Sequence, residues 1–253
     1  MLDEIIASTQ RRIAELKERE GVDPQSPRTA RGLASALGEP GLGVIGEVKR
    51  RSPSRGVLAA GLDAVEQARI YQQAGASAVS VLTEPDHFGG SNRDLTMVAE
   101  AVDIPVLRKD FTLDAAQVWE AARIGADAVL LIVAILDDSR LVELLEASAE
   151  AGLAALVEVH NAAEARRAIT AGARIVGVNN RDLRDFNVDL ATSVRLAPLL
   201  GDVEVRIAES GIHTPAQAAQ MAEAGYDAVL VGEALVLARS PGDLVSRMRG
   251  VTP

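Results

Sequence analysis

Four segments of this chain repeat one pattern: AGASAVSVLTE (74–84), IGADAVLLIVA (124–134), AGARIVGVNNR (171–181) and AGYDAVLVGEA (224–234). Each reads as the end of a helix, a glycine, a short connector and an apolar strand. Glycine closes a helix well because it enters left-handed backbone without a Cβ clash. The repeat glycines Gly75, Gly125, Gly172 and Gly225 are spaced by 50, 47 and 53 residues. Each step holds two strand-like runs, so one strand–helix unit takes about 25 residues, enough for a parallel crossover. Four repeats of two units each make eight, and 253 residues is a usual size for one closed (β/α)8 barrel. Strands are predicted at 44–49, 78–82, 104–108, 128–133, 154–159, 174–178, 204–208 and 228–232. Helices are predicted at 63–74, 92–101, 114–123, 138–151, 162–171 and 214–224, the last with Thr214 as N-cap and Pro215 at its first position.

The strand-like runs share a second property. GVIGEVK (43–49), IPVLRKDF (104–111), AALVEVH (154–160), RIVGVNNR (174–181) and EVRIAES (204–210) are apolar along their length and finish on charged or polar residues. Apolar runs suit strands covered on both faces, and a buried charge is costly unless paired. Five strands ending alike point to one shared polar site, and in a (β/α)8 barrel the active site lies at that end. Glu47 and Lys49 are two apart and point to the same side. Lys109, Glu158, Asn179, Arg181, Glu209 and Ser210 stand at or just beyond the other strand ends. Two lysines and three glutamates in one pocket shift one another's proton affinities and suit acid–base work. Burial and a second lysine are expected to lower the affinity of a lysine there, although the glutamates pull the other way. Structural ion pairs around a rim would also give charged strand ends; matched placement on several strands favours a site.

Glycines mark a second feature. Gly211 follows the seventh strand in ESGI, and Gly232-Glu233 follows the eighth in VGEA, where a helix is expected to begin. Loops after these two strands hold phosphate in many barrels, with backbone N–H groups facing the anion. Ser52 in RSPSRG adds a hydroxyl. Turn formation alone would also explain the glycines. Leu130, Leu131, Ile132 and Val133 close the fourth strand without a charge and offer an apolar wall for an aromatic substrate, although core packing also accounts for them. Trp119 is expected in the core, and the Asp137-Asp138-Ser139 run at a helix start. His87, His160 and His213 have no ligand-like spacing, so no metal site is expected.

Composition narrows the remaining choices. The chain has no Cys, which removes disulfides, a thiol nucleophile and thiolate metal sites. A net charge of −10, with one Trp, two Tyr and three Phe, disfavours nucleic-acid binding. No apolar run is long enough for a membrane span, and the charged, helix-periodic N-terminus lacks a signal-peptide core. A cytoplasmic chain, with no membrane partner, is expected. Residues 1–40 precede the first strand as an N-terminal helical extension. Within it, 3–19 form an amphipathic helix with Ile5, Ile6, Ile13 and Leu16 on one side, and Gly21 to Pro27 breaks it. No linker is visible, so residues 1–253 are expected to form a single barrel domain.

The motifs GEVKRRSPSRG (46–56), LRKDF (107–111), LVEVH (156–160), GVNNRDL (177–183), AESGI (208–212) and LVGEAL (230–235) resemble, in order, those of indole-3-glycerol phosphate synthases of tryptophan biosynthesis. Arg51 stands where a small residue is more familiar, and Asn180 follows the motif asparagine. The resemblance implies a TIM barrel that converts 1-(2-carboxyphenylamino)-1-deoxyribulose 5-phosphate to indole-3-glycerol phosphate, releasing CO2 and water. It implies Lys109 as the acid in ring closure and Glu158 as the group that stabilises the cationic intermediate and positions Lys109. Glu47 and Lys49 become base and acid for dehydration, and the division of the acid role between Lys49 and Lys109 stays open. Asn179, Arg181, Glu209 and Ser210 would position the substrate, with Phe88, Phe111 and Leu130 around its aromatic ring. Ser52, Gly211, Gly232 and Glu233 would hold the phosphate. No metal or organic cofactor is implied, because the aniline nitrogen of the substrate supplies the electron push. A monomer with a small phosphorylated substrate is expected. The rival readings are a sugar-phosphate isomerase barrel, a Schiff-base aldolase using Lys109, and a catalytically dead binding barrel.

Overall fold

The computed structural model describes residues 2–20, 29–53, 55–182 and 186–250. Eight strands form the barrel: β1 (Gly43–Val48), β2 (Ala78–Leu82), β3 (Val106–Lys109), β4 (Ala128–Ile132), β5 (Ala154–Val159), β6 (Ile175–Asn179), β7 (Val205–Glu209) and β8 (Ala228–Val231). All neighbours are parallel and the sheet closes through β1 and β8. The predicted strands match these to within one or two residues. The largest difference is at β3, which begins only after Pro105.

The helices are α1 (Leu2–Glu20), α2 (Leu33–Leu37), α3 (Ala64–Gln73), α4 (Asn92–Ala101), α5 (Ala115–Arg123), α6 (Asp138–Glu150), α7 (Ala162–Thr170), α8 (Ala191–Leu196), α9 (Pro215–Glu223), α10 (Glu233–Leu237) and α11 (Pro241–Met248). Sequence chemistry fixes where most of the barrel helices begin. The side chains of Asp63, Ser91, Asp114, Asp137, Asn161 and Thr214 each accept a backbone N–H of the first turn. Such caps satisfy donors that the helix itself cannot.

Strand alternation divides the core in two. Val44, Val48, Val79, Val81, Leu131, Val157, Val176 and Val178 face the helices. Ile45, Leu107, Leu130, Ile132, Leu156, Ile207 and Leu230 fill the axis. The run 130–133 is therefore not one wall: Leu130 and Ile132 face inward, whereas Leu131 and Val133 pack under helices. Trp119 packs partly buried against the outer core.

The N-terminal segment touches both ends of the barrel. α1 lies at the mouth, where Arg12 forms two bonds of 3.0–3.1 Å to the buried Asp110 and Lys17 bonds Asp114 at 2.7 Å. Ile5 and Leu16 of its apolar side are buried. α2 plugs the opposite end: Leu33 and Leu37 are 1% exposed and pack with the inner core. Beside it Arg31 donates to the fully buried Asp127, from its backbone N at 2.7 Å and pairing through Nε at 3.0 Å. Part of residues 1–40 is thus core rather than appendage. The expected break at 21–27 lies outside the described residues.

Candidate active site

The strand ends open into one cavity at the C-terminal mouth, lined by Glu47, Lys49, Lys109, Glu158, Asn179 and Glu209 together. Strand register brings them there. Glu47, Glu158 and Glu209 each face the axis near the end of β1, β5 and β7, where an alternating strand would otherwise place an apolar side chain.

Two ionic groups form within the cavity. Lys49 Nζ pairs with Glu47 Oε1 at 2.5 Å. Lys109 Nζ donates to Glu158 Oε2 and to Glu209 Oε2, each at 2.8 Å. The two glutamate side chains are only 3% and 2% exposed, so water screens these contacts little. Burial works against the Lys109 proton, but Glu158, Glu209 and the more distant Glu47 outweigh it and raise its affinity above the ordinary lysine value. This corrects the expectation of a lowered lysine: three carboxylates act on one ammonium. Burial also disfavours ionised Glu158, yet Lys109 and His160 hold it well below the usual carboxylate range. Glu209 goes the other way. Its burial and the charges of Glu158 and Glu47 outweigh Lys109 and raise it. The two carboxylates share one ammonium and titrate as a unit.

Two glycines make room for this arrangement. A Cβ at Gly177 would overlap Glu209 Oε1, and one at Gly232 would overlap Glu47 Oε1 and stand 3.1 Å from Lys49 Nζ. Gly232 therefore borders the ionic pair as well as the loop after β8.

The predicted binding residues converge on the same cavity: Ser52, Phe88, Phe111, Leu130, Arg181, Ser210, Gly211 and Glu233 all line it. Phe88 and Phe111 stand with ring centroids 6.3 Å apart. Asn179 accepts the backbone N–H of Arg181 at 3.0 Å, and Arg181 donates to the Phe186 carbonyl at 3.1 Å. Ser210 and Gly211 both adopt left-handed backbone, φ 63° and 78°. A Cβ at Gly211 would overlap Val188. The Glu233 carboxylate pairs with Arg55 at 3.1 Å. An anion cannot hold phosphate with its carboxylate, so only the backbone N–H of Glu233 suits that role.

Several supporting residues escaped the sequence reading. Asn180 donates to the carbonyls of Glu209 and Ser210 at 3.0 and 3.2 Å and accepts from Ser193, locking the left-handed turn. The buried Glu84 accepts three N–H groups, from Asp86, His87 and Phe88, and so shapes the loop that carries Phe88. His160 stands between Glu158 and Glu164. Its position two residues after Glu158, on the same strand face, was the available signal.

Similarity to known proteins gives the family. A family model described as indole-3-glycerol phosphate synthase matches residues 2–248. Proteins named indole-3-glycerol phosphate synthase share 49% identity with the chain in Streptomyces griseus subsp. griseus (95% of this chain, 91% of that one). Those of Parafrankia sp. share 53% (92% and 86%), and those of Lactiplantibacillus plantarum 44% (98% and 98%). Among solved structures, 3-hexulose-6-phosphate synthase from Salmonella typhimurium superposes with a TM-score of 0.68 at 16% identity, covering 83% of this chain and 97% of that one. That likeness is one of fold alone. With its TIM barrel, its ordered motifs and relatives of about half-identical sequence along nearly the whole length, the chain belongs to the indole-3-glycerol phosphate synthase family.

Proposed function

We propose that this cavity closes, decarboxylates and dehydrates 1-(2-carboxyphenylamino)-1-deoxyribulose 5-phosphate to indole-3-glycerol phosphate. The observation that carries the reading is the Glu158–Lys109–Glu209 triplet beside the Glu47–Lys49 pair in one cavity. Lys109 gives its proton to the ribulose carbonyl oxygen as the carboxylate-bearing ring carbon attacks that carbonyl carbon. The new C–C bond leaves positive charge on the ring and aniline nitrogen, which ionised Glu158 stabilises. Loss of CO2 returns the bonding electrons to the ring. Dehydration then needs an acid for the departing hydroxyl and a base for the released proton, and Lys49 and Glu47 stand together to supply them. Lys49 also suits the substrate carboxylate before it leaves.

Phe88, Phe111 and Leu130 offer the aromatic ring an apolar wall, while Asn179, Arg181, Glu209 and Ser210 orient the sugar chain. The phosphate is assigned to Ser52 and the backbone N–H groups of Gly211, Gly232 and Glu233, because glycine lets the backbone approach an anion closely. The acid–base and binding groups named all belong to one barrel, and among the described residues no helix is long and apolar enough to cross a membrane. Incubating the protein with the carboxyphenylamino-deoxyribulose phosphate should produce indole fluorescence. A folded preparation that yields none, at any pH between 5 and 9, would sink the reading.

A further inference from the structure

The roles above use the triplet and the pair but leave out one buried ionisable group in direct contact with them. His160 Nε2 stands 3.4 Å from Glu158 Oε1, while Lys109 holds the other oxygen, Oε2, at 2.8 Å. The ring is aimed from behind. Its Nδ1 meets Glu164 Oε2 at 3.0 Å, and the same oxygen accepts the His160 backbone N–H at 2.7 Å. Glu164 is itself held by Asn161 Nδ2 at 2.6 Å, at the start of α7. The Nδ1 contact orients the imidazole and leaves Nε2 buried within ion-pair distance of Glu158 Oε1, without a hydrogen bond of its own. Glu158 on β5 and Glu164 on α7 are the charged groups that face the ring, and Lys109 and Glu209 lie one carboxylate further in.

We propose that His160 is a positioning residue, aimed by Glu164, that keeps Glu158 ionised and in place while Lys109 gives up its proton. The inference rests on the function proposed above. In the resting cavity one ammonium serves two buried carboxylates. When the Lys109 N–H bond breaks and the carbonyl O–H bond forms, that ammonium becomes a neutral amine. Glu158 then loses its main counter-charge at the moment the ring turns cationic. A carboxylate buried without a cation takes up a proton, and a neutral Glu158 cannot stabilise the ring. His160 does not lose its proton in that step and remains against Oε1. Burial opposes its charge, but Glu158 and Glu164 raise its proton affinity to about 10, so it is cationic throughout the neutral range. An interaction that matters chiefly in the transition state changes kcat rather than KM.

The test compares wild type with His160→Asn, which keeps size and a donor but drops the cation. kcat should fall roughly tenfold or more with KM within about twofold of wild type. The acid limb of the kcat–pH profile should move up by about one unit, because Glu158 without this cation protonates more readily. Glu164→Gln should shift the limb in the same direction by less. Should His160→Asn fold poorly, His160→Ala assayed with added imidazole should recover rate in proportion to the imidazolium present. A purely structural histidine would lower the melting temperature without moving the limb. An unmoved limb with unchanged kcat in a folded variant, or a rise in KM alone, overturns the inference while leaving the function intact. Wild-type protein without turnover overturns the function, and this inference with it.

Discussion

Replacing Lys109 by Met tests the site through both rate and stability. Methionine keeps the apolar stem and removes the ammonium that Glu158 and Glu209 share. The rate effect follows from losing a placed proton donor, worth roughly 10²–10⁴. The stability effect follows from burial. Breaking a buried ion pair by removing one partner costs about 3–5 kcal/mol, because the remaining charge stays in the interior. Here two carboxylates are left, and they repel each other. In the wild type, Glu158 is depressed, so its contribution is present above the ordinary carboxylate value and is lost as pH falls through the depressed one. In the variant the sign reverses for the pair: raised carboxylates penalise folding above the ordinary value of about 4.3, and protonation relieves the penalty progressively as pH falls through the raised value, fully only below the ordinary one. Glu209, already raised in the wild type, should take that proton first, since His160 still stands against Glu158. Urea unfolding should therefore show a loss of about 3–5 kcal/mol at pH 8 and a loss smaller by about 1 kcal/mol or more at pH 5. Adding Glu209→Gln to the variant should restore part of the pH 8 loss. Equal losses at both pH values would refute the shared-ammonium argument. A kcat above about a tenth of wild type would remove Lys109 as the acid.

Gly177→Ala would drive a Cβ into Glu209 Oε1, so it should cost about 1–3 kcal/mol of overpacking and lower kcat by displacing Glu209 from Lys109. Wild-type turnover in that variant would show that the placement of Glu209 is immaterial. Gly232→Ala meets Glu47 and Lys49 as well as the loop after β8, so kcat should fall alongside a rise in KM; a change in KM alone would mean the pair is not disturbed. Removing residues 1–20 should leave a cooperatively folding barrel with raised KM, because Leu2 and Ile5 line the cavity. Removing 1–40 should abolish cooperative unfolding, because it also strips Leu33, Leu37 and Arg31 from the barrel floor and leaves Asp127 buried without them; a two-state melt would contradict this.

The barrel was legible because its signals are local. Glycine-closed helices and two-sided apolar strands recur at a regular spacing, and caps such as Asp63, Asn161 and Thr214 sit beside the helices they start. The strand-end residues were legible for a related reason: position along a strand fixes both facing and depth. Partnership was not. Nothing in the sequence says that Lys109 serves Glu158 and Glu209 rather than Glu47, since those contacts join strands 49 and 100 residues apart. The direction of the lysine shift failed for that cause, because it depends on how many carboxylates reach one nitrogen. The pairing of the Glu233 carboxylate with Arg55 was likewise invisible in the sequence. The part that residues 1–40 play in the core was not legible either, because the contact of Arg31 with Asp127 joins residues 96 apart and leaves no periodic trace.

Charge balance ties these observations together. Glu47, Glu158 and Glu209 face the cavity with only Lys49 and Lys109 against them, so these five groups alone would be net negative. The substrate of the proposed reaction carries a carboxylate and a phosphate, and the whole chain is itself at −10. A negative cavity in a negative protein would repel such a substrate at every stage of approach. His160, cationic through the neutral range and paired with both Glu158 and Glu164, sets a third positive group beside the carboxylates, and Arg181 adds a further positive charge to the cavity lining. The Arg55–Glu233 contact pairs the carboxylate at the loop after β8, where the phosphate is proposed to bind. Glu164 aims the imidazole from outside the cavity lining. On the inference drawn above, the histidine after Glu158 belongs to the electrostatics of the site: it helps keep Glu158 ionised beside the raised Glu209 in a pocket proposed to admit a multiply charged anion.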